Sequence, residues 1–269
     1  MCIRDRGNTL FIYLGHEQWV KTVAWSPDGT RIASAGAETT VQVWDALTGG
    51  ASLLYRGHTN IVSMLAWSPD GKYIASVGYD KTLQVWDAHS GEQFAYIHEH
   101  TGIVNALAWS PDGSYIATAS DDGTVQIWAI AKNGHAAAKT PVFIYRGHND
   151  RVSAVAWSPN GKRVASGGWD NTVQVWDAAT GDFAFRHREH TSWINAVCWS
   201  PNSQCVASAS NDASVQVWEA STGREFFTKR NFFTYNGHTE WVRDVSWSPD
   251  GTRVASCGHD QTVQVWQAR

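Results

Sequence analysis

A unit of fixed internal spacing recurs six times in this chain of 269 residues. Each copy has a histidine, a tryptophan nine residues later and a second tryptophan nineteen residues after that. The three series are His16, His58, His100, His148, His190 and His238; Trp25, Trp67, Trp109, Trp157, Trp199 and Trp247; and Trp44, Trp86, Trp128, Trp176, Trp218 and Trp266. The interval from a second tryptophan to the next histidine is 14 residues in three joints and 20 in two. A fixed unit with variable joints indicates a repeat architecture in which neighbouring copies pack on each other.

Each copy also carries the signals of four short strands. In the first copy Val20 and Val23 break the strand period of two, which predicts a β-bulge at Lys21 and Thr22. The following SPDG sequence has the proline and glycine that a type I turn prefers. Further strands are predicted at Arg31–Gly36, Thr40–Trp44 and, in the joint, Ser52–Arg56. Four short strands in about 42 residues are typical of one blade of a β-propeller.

These motifs resemble the WD-repeat (WD40) unit, and the resemblance extends from about Thr9 to the end of the chain. In the second copy it is carried by GH at Gly57 and His58, by SPDG, by Asp80 and by WD at Trp86 and Asp87. The copies depart from the pattern where Ala129, Glu219 and Gln267 follow the second tryptophan and where Glu99 and Glu189 precede the histidine. The resemblance implies an all-β propeller of six four-stranded blades, from an N-terminally truncated bacterial protein.

The two ends of the chain predict how the ring closes. Residues Leu10–Leu14 match a fourth strand and Val263–Trp266 match a third strand, so their pairing would complete the sixth blade and leave no free edge. The alternative is a fragment of a seven-bladed propeller.

Residues 1–6, MCIRDR, match no repeat position and resemble a translated sequencing adapter. We therefore expect residues 1–6 to be non-native and residues 7–269 to form a single propeller domain.

A histidine, a hydroxyl residue, an aspartate and a tryptophan recur together in five copies. On paper this set is similar to a catalytic triad, but equivalent active sites around a ring are implausible. The family resemblance instead implies a structural relay of hydrogen bonds from the aspartate to the tryptophan. The sets are His58, Ser76, Asp80, Trp86; His100, Thr118, Asp122, Trp128; His148, Ser166, Asp170, Trp176; His190, Ser208, Asp212, Trp218; and His238, Ser256, Asp260, Trp266. In the first copy Glu38 replaces the aspartate, and its extra methylene argues against a relay through His16 and Ser34.

Three positions vary between copies while their neighbours do not. They lie three residues after the histidine (the entry column), five residues after it (the bulge column) and immediately before the relay acid (the turn column). The resemblance implies that all three face the top rim of the propeller. Four tryptophans are left over after the repeat motif is counted, and all four lie in these columns. The predicted partner-binding residues are Trp19, Lys21, Tyr79, Arg151, Trp169, Trp193, Trp241, Arg243 and His259. Because Ile61 and Ile103 share the entry column with three of the tryptophans, packing is the alternative role for that column.

Composition excludes several classes of function. The net charge of −4 argues against a nucleic-acid partner, and no run of 18 apolar residues could span a membrane. Phenylalanines around Lys229 and Arg230 could form a contact to single-stranded nucleic acid, but a lengthened strand edge fits the acidic chain better. The four cysteines have no metal-ligand spacing and are predicted to be reduced thiols in a cytoplasmic protein without metal or cofactor.

The sequence therefore favours a non-catalytic scaffold that binds a protein or peptide on the top face. One alternative is the C-terminal sensing or regulatory propeller of a larger signalling protein, such as a kinase or an ATPase. A small-molecule-binding or enzymatic propeller is a further alternative, but no acid pair, metal set or phosphate loop supports it. Sequence alone does not name the partner.

Overall fold

The structure, a computed structural model, describes residues 12–131, 140–220 and 232–268. These residues form six antiparallel sheets, each a simple meander of strands in chain order. We number the sheets as blades one to six. Their strands are β1 (Val20–Trp25), β2 (Arg31–Gly36), β3 (Val41–Asp45) and β4 (Ala51–Tyr55); β5 (Val62–Trp67), β6 (Tyr73–Gly78), β7 (Leu83–Asp87) and β8 (Gln93–Ile97); β9 (Val104–Trp109), β10 (Tyr115–Ser120), β11 (Val125–Ala129) and β12 (Phe143–Tyr145); β13 (Val152–Trp157), β14 (Arg163–Gly168), β15 (Val173–Asp177) and β16 (Phe183–His187); β17 (Ile194–Trp199), β18 (Cys205–Ser210), β19 (Val215–Glu219) and β20 (Phe232–Tyr235); and β21 (Val242–Trp247), β22 (Arg253–Gly258) and β23 (Val263–Gln267).

The predicted bulge and turn are both confirmed. The register between β1 and β2 shifts between Val20 and Thr22, and the equivalent shift occurs in every other blade. In the SPDG turn the Gly29 amide donates to the Ser26 carbonyl at 2.9 Å, and Gly29 has a φ of +70°. A positive φ is strained for residues with a side chain, which explains the glycine at this position.

The hydrophobic core is divided among the junctions between consecutive blades. Each junction packs the second and third strands of one blade against the first and second strands of the next. At the first junction, for example, Val41 and Val43 pack with Val62 and Trp67. Because these strands are covered on both sides, they are buried almost continuously, and their polar residues, such as Ser34 and Gln42, are buried as well.

The outer faces of the first and last blades are exposed. Trp25 is 60% exposed whereas the equivalent Trp67 is 7% exposed, and Val263 is 74% exposed whereas the equivalent Val215 is fully buried. The sixth sheet has three strands among the described residues. Residues 12–14 form no strand, and residues 10 and 11 lie outside the described ranges. Closure of the ring by Leu10–Leu14 is therefore not shown.

Two other expectations concern residues outside the described ranges, namely that residues 1–6 are non-native and that a strand edge is lengthened around Lys229 and Arg230. Within the described ranges, no helix is long and apolar enough to cross a membrane. The described cysteines, Cys198, Cys205 and Cys257, are free thiols.

Candidate functional site

The relay residues of the second blade form a directed chain of hydrogen bonds. The His58 imidazole donates from Nδ1 to Asp80 at 2.8 Å, since a carboxylate can only accept. Nε2 must then accept from the Ser76 hydroxyl, also at 2.8 Å, and Trp86 donates its indole N–H to the same hydroxyl at 3.3 Å. Equivalent contacts join His100, His148, His190 and His238 to their acids and hydroxyls at 2.7 to 3.1 Å.

The last step of the chain differs between blades. Trp128 donates to Thr118 at 2.9 Å, as expected. Among the described residues, however, no hydrogen-bond acceptor is found for the indole N–H groups of Trp176, Trp218 and Trp266. In the fourth, fifth and sixth blades the relay therefore ends at the serine, which corrects the expectation of a four-membered relay there.

The first blade also contradicts its prediction. Glu38 reaches His16 Nδ1 with one carboxylate oxygen, and His16 Nε2 lies 2.6 Å from the Ser34 hydroxyl. Trp44 completes the chain by donating to Ser34 at 3.1 Å. The expectation of no relay in this blade is corrected, because the longer glutamate side chain still spans from the turn to the histidine.

The relay aspartates are held ionised. Burial opposes the charge on Asp170, but hydrogen bonds from His148, the Asn149 amide and Thr172 outweigh it and lower the pKa of Asp170 to about 2. The relay hydroxyls are also inaccessible, since Ser76 and Ser166 are fully buried. No substrate could reach these hydroxyls, so the relay is suited to holding the blade together and not to nucleophilic catalysis.

A second recurrent cluster was missed by sequence reasoning. Tyr55 stacks on Trp86 with ring centroids 4.6 Å apart and donates to Gln84 at 2.8 Å, and so links the fourth strand of one blade to the next blade. Tyr13, Tyr145 and Tyr235 make the same pair of contacts. The available signal was the glutamine two residues before the second tryptophan in all six copies. His187 of the fourth blade takes the tyrosine's place at the next junction, stacked on Trp218 of the fifth blade and bonded to Gln216 at 2.6 Å.

The entry and turn columns lie side by side on the rim that carries the relay turns, which we call the top rim. In every blade the turn-column amide donates to the entry-column carbonyl at 2.8 to 3.0 Å, as Asn211 does to Trp193 and His259 to Trp241. Because this bond is made by backbone atoms, the side chains of both columns are free to vary.

At three junctions the turn-column residue of one blade lies near the entry-column residue of the next. Between the third and fourth blades, Asp121 and Arg151 form an ion pair at 3.7 Å. Between the fourth and fifth blades, Trp169 and Trp193 stack with centroids 3.9 Å apart and planes within 3°. Between the fifth and sixth blades, a cleft of about 510 Å³ is lined by Trp241 and by Asn211, Asp212, Ala213, Thr239, Glu240 and His259. We call this the 5/6 cleft.

The bulge column has a structural role in four blades. Asn105 donates to the Val152 carbonyl of the next blade at 3.0 Å, and Asn195 donates to Val242 at 2.7 Å. Ser63 and Ser153 make the equivalent bond. In these four blades the varying bulge-column residue therefore has a structural role, because its short polar side chain joins neighbouring blades.

The two predicted binding residues of the bulge column are its cations. Lys21 lies over the ring of Tyr79, 5.0 Å from the centroid. Arg243 lies 5.2 Å from the Trp241 ring and donates from Nε to His259 Nε2 at 2.8 Å. His259 Nε2 is the acceptor in this contact.

The remaining predicted binding residues are partly or largely exposed on the top rim. Trp19, Trp193 and Trp241 are 56%, 40% and 45% exposed. Trp169 is less accessible, because Arg151 lies 4.6 Å from its centroid in addition to the stacked Trp193. In the described part of the chain, no group of histidine, cysteine and acidic residues is arranged to hold a metal ion.

Comparison with known families agrees with this repeat structure. The family model described as WD domain, G-beta repeat (WD40) matches six segments, at residues 7–45, 51–87, 91–129, 139–177, 181–219 and 229–267. The comparison with curated proteins gives no match.

Proposed function

The chain belongs to the WD40-repeat family, and on that premise we propose that it is a non-catalytic scaffold whose top rim binds an extended peptide of a protein partner. WD40 repeats are generally protein-interaction scaffolds and typically non-catalytic. The observation that supports this function most directly is the exposure of Trp19, Trp193 and Trp241 beside Arg151 and Arg243 on one rim. Exposed tryptophan and arginine are the residues most enriched in binding hot spots.

The contacts among these residues suggest distinct roles. Trp193 and Trp241 are the main contact residues, since each presents exposed indole surface. Trp169 has a supporting role, because its ring is covered by Trp193 and Arg151. By stacking on Trp193 it fixes the orientation of the Trp193 ring. Holding an aromatic side chain in place before binding lowers the entropy lost when the partner docks.

Alanine variants of Trp193 and Trp241 test this function. Each should weaken partner capture by about 2 kcal/mol, or roughly thirtyfold, while the melting temperature stays nearly unchanged. The partner is captured from a lysate of the source organism and identified, and its binding is then titrated against each variant. Tyr96→Ala is the matched control, because Tyr96 is 56% exposed but lies on an outer strand.

Two outcomes would contradict the proposal. Capture that persists in both tryptophan variants would place the binding site elsewhere. An early melt of both variants with binding intact would show that these indoles are packing residues, as the shared column with Ile61 and Ile103 allows.

We also infer that the ring closes through residues 10–14. Tyr13 stacks on Trp44 at 4.7 Å and donates to Gln42 at 2.8 Å, and Tyr55 makes the same contacts to Trp86 and Gln84. Tyr55 pairs with Val41 of the preceding strand, so the equivalent ladder partner of Tyr13 is Val263.

The two exposed end faces support the same closure. At an interior junction Trp67 donates its indole N–H to the Ala24 carbonyl at 3.1 Å. The equivalent pair across the closed ring is Trp25 and Ser246. Closure would bury Trp25 and Val263 as their equivalents are buried, whereas a seven-bladed parent would place a further blade between them.

A further inference from the structure

The 5/6 cleft differs from two other junctions of the top rim, where a turn-column side chain contacts the entry-column side chain of the next blade. Arg151 contacts Asp121 at one of those junctions, and Trp169 covers Trp193 at the other. At the 5/6 junction the turn-column residue is Asn211, whose side-chain oxygen accepts a hydrogen bond from Asn195 at 2.7 Å. Asparagine is too short to cover the neighbouring indole, so Trp241 lines an open cleft.

The charge of the cleft is negative. Its lining contains two carboxylates, those of Asp212 and Glu240, and no lysine or arginine. Burial disfavours the charge on Asp212, but hydrogen bonds from His190, Ser214 and the Thr191 amide lower its pKa and keep it ionised. Glu240 is exposed and is the carboxylate available to a ligand.

Arg243 lies beside the cleft and is not part of its lining. Its guanidinium carbon is 5.2 Å from the Trp241 centroid, and its Nε–H is committed to His259 Nε2. His259 accepts that bond and contributes its ring to the lining.

The chain contains its own example of the ligand that such a site fits. The Arg151 guanidinium lies 4.6 Å from the Trp169 centroid, and its Nη1 is 3.7 Å from Asp121 Oδ2. A planar cation is thus held between an indole and a carboxylate on the same rim. The lining of the 5/6 cleft presents an indole and carboxylates but no lysine or arginine, since Arg243 lies outside it.

We propose that the 5/6 cleft binds the guanidinium of a partner arginine, stacked on Trp241 and paired with Glu240. The proposal rests on the function proposed above and specifies one side chain of the bound peptide. Arginine fits better than lysine because its planar group stacks on an indole and pairs with a carboxylate through a fork of N–H donors. It fits better than an aromatic ring because the lining carries two negative charges.

A titration with short peptides tests the site without the natural partner. The probes are acetyl-Gly-Arg-Gly-amide and its lysine, citrulline and phenylalanine analogues. Binding is followed by the indole N–H resonance of Trp241 in ¹H–¹⁵N spectra, assigned by its loss in Trp241→Ala. The arginine peptide should shift this resonance with a Kd on the order of millimolar, as a single side chain allows. Citrulline has the same shape without the charge and should bind about tenfold more weakly.

Glu240→Gln should weaken arginine binding by about five- to tenfold, since it removes the charge and retains the shape. The matched control is Asp150→Asn. Asp150 stands two residues after the relay histidine in the fourth blade, as Glu240 does in the sixth, but Arg151 already occupies that junction. This control should leave the titration unchanged. Equal binding of arginine and citrulline, an unaffected Glu240→Gln variant, or no shift of Trp241 would each overturn the proposal.

Partner capture separates this proposal from the broader function. If Trp241→Ala loses the partner and Glu240→Gln retains it, the rim binds a partner without an arginine in the cleft. If both variants lose it, the arginine site is supported. If Trp241→Ala retains the partner, both proposals fail at this blade.

Discussion

His187 should make the stability of this propeller fall in mildly acidic solution. In the fourth joint His187 takes the position that tyrosine holds in the first, third and fifth joints. The His187 ring stacks on Trp218 and contacts Gln216. Burial, partly offset by the hydrogen bond with Gln216 and reinforced by the nearby His190, lowers the pKa of His187 from 6.5 to about 4. The folded protein therefore keeps this imidazole neutral over a range in which the unfolded chain protonates it.

The sign and size of the effect follow from that difference. Above pH 6.5 His187 is neutral in both states and contributes no pH dependence. Between pH 6.5 and 4 only the unfolded state gains the proton, so the free energy of unfolding falls by about 1.4 kcal/mol for each pH unit. The loss is about 2 kcal/mol at pH 5 and approaches about 3 kcal/mol near pH 4.

The variant His187→Tyr isolates this contribution. Tyrosine at the equivalent position stacks on Trp176 and donates to Gln174, so the substitution should retain both contacts. Urea unfolding of both proteins at pH 7.5 and pH 5 gives a double difference in which the other titrating groups cancel. The variant should gain about 2 kcal/mol over the wild type between the two pH values. A difference that does not change with pH would refute the reasoning, because it would mean that His187 titrates alike in both states.

Two further predictions concern the first blade and the segment that precedes it. Glu38→Ala should lower the free energy of unfolding in a urea melt by about 1 to 3 kcal/mol, because it leaves the His16 imidazole without its acid partner. Glu17→Ala, at an exposed neighbouring position, should have little effect in the same melt. Equally small losses from the two variants would show that the first relay adds no stability. If the ring closes through residues 10–14, deletion of residues 7–14 should cause self-association in light scattering and should destabilise the protein by about 2 to 4 kcal/mol more than Tyr13→Ala does. In a closed ring this segment would cover Val263 and Val265, which are 74% and 61% exposed in the structure, so the deletion would remove that cover as well as the Tyr13 stack. A deletion variant that stays monomeric and loses no more than Tyr13→Ala would exclude closure through this segment.

The strand pattern was predictable because it depends on local chemistry. The bulge after Val20, the SPDG turn and the strand Arg31–Gly36 were read from spacing and turn residues, and the structure confirms them. The fourth strand of the first blade, predicted at Ser52–Arg56, lies within one residue of those bounds at Ala51–Tyr55, whereas residues 12–14 of the predicted strand Leu10–Leu14 form no strand. The joining of the ends depends on a contact between distant residues, which spacing alone does not show.

The side-chain contacts of the bulge column could not be read from composition. Ser63 and Asn195 vary in identity, and variation suggested a surface role. Serine and asparagine nevertheless make the same bond to the next blade, because each places a polar hydrogen near the same carbonyl. Two residue types can thus serve one structural role, and variability alone does not identify a binding site.

The relay of the first blade shows the reverse error. Glu38 was expected to be too long for its turn, but a sequence does not report how far a loop can adjust. The turn-column amide of Ala37 still donates to the Trp19 carbonyl at 3.0 Å, so the turn keeps its place while the longer side chain reaches His16. Backbone bonds of this kind tolerate substitution at the positions beside them.

The same distinction between backbone and side-chain bonding bears on which rim residues can be specialised for a partner. Entry-column and turn-column residues are held by their backbone, so Trp193 and Trp241 can change without loss of a structural bond. The serines and asparagines of the bulge column are held through their side chains in four blades. Lys21, whose blade is also followed by another, instead contacts Tyr79. The partner surface is therefore best sought in the entry and turn columns, beginning with Trp193 and Trp241.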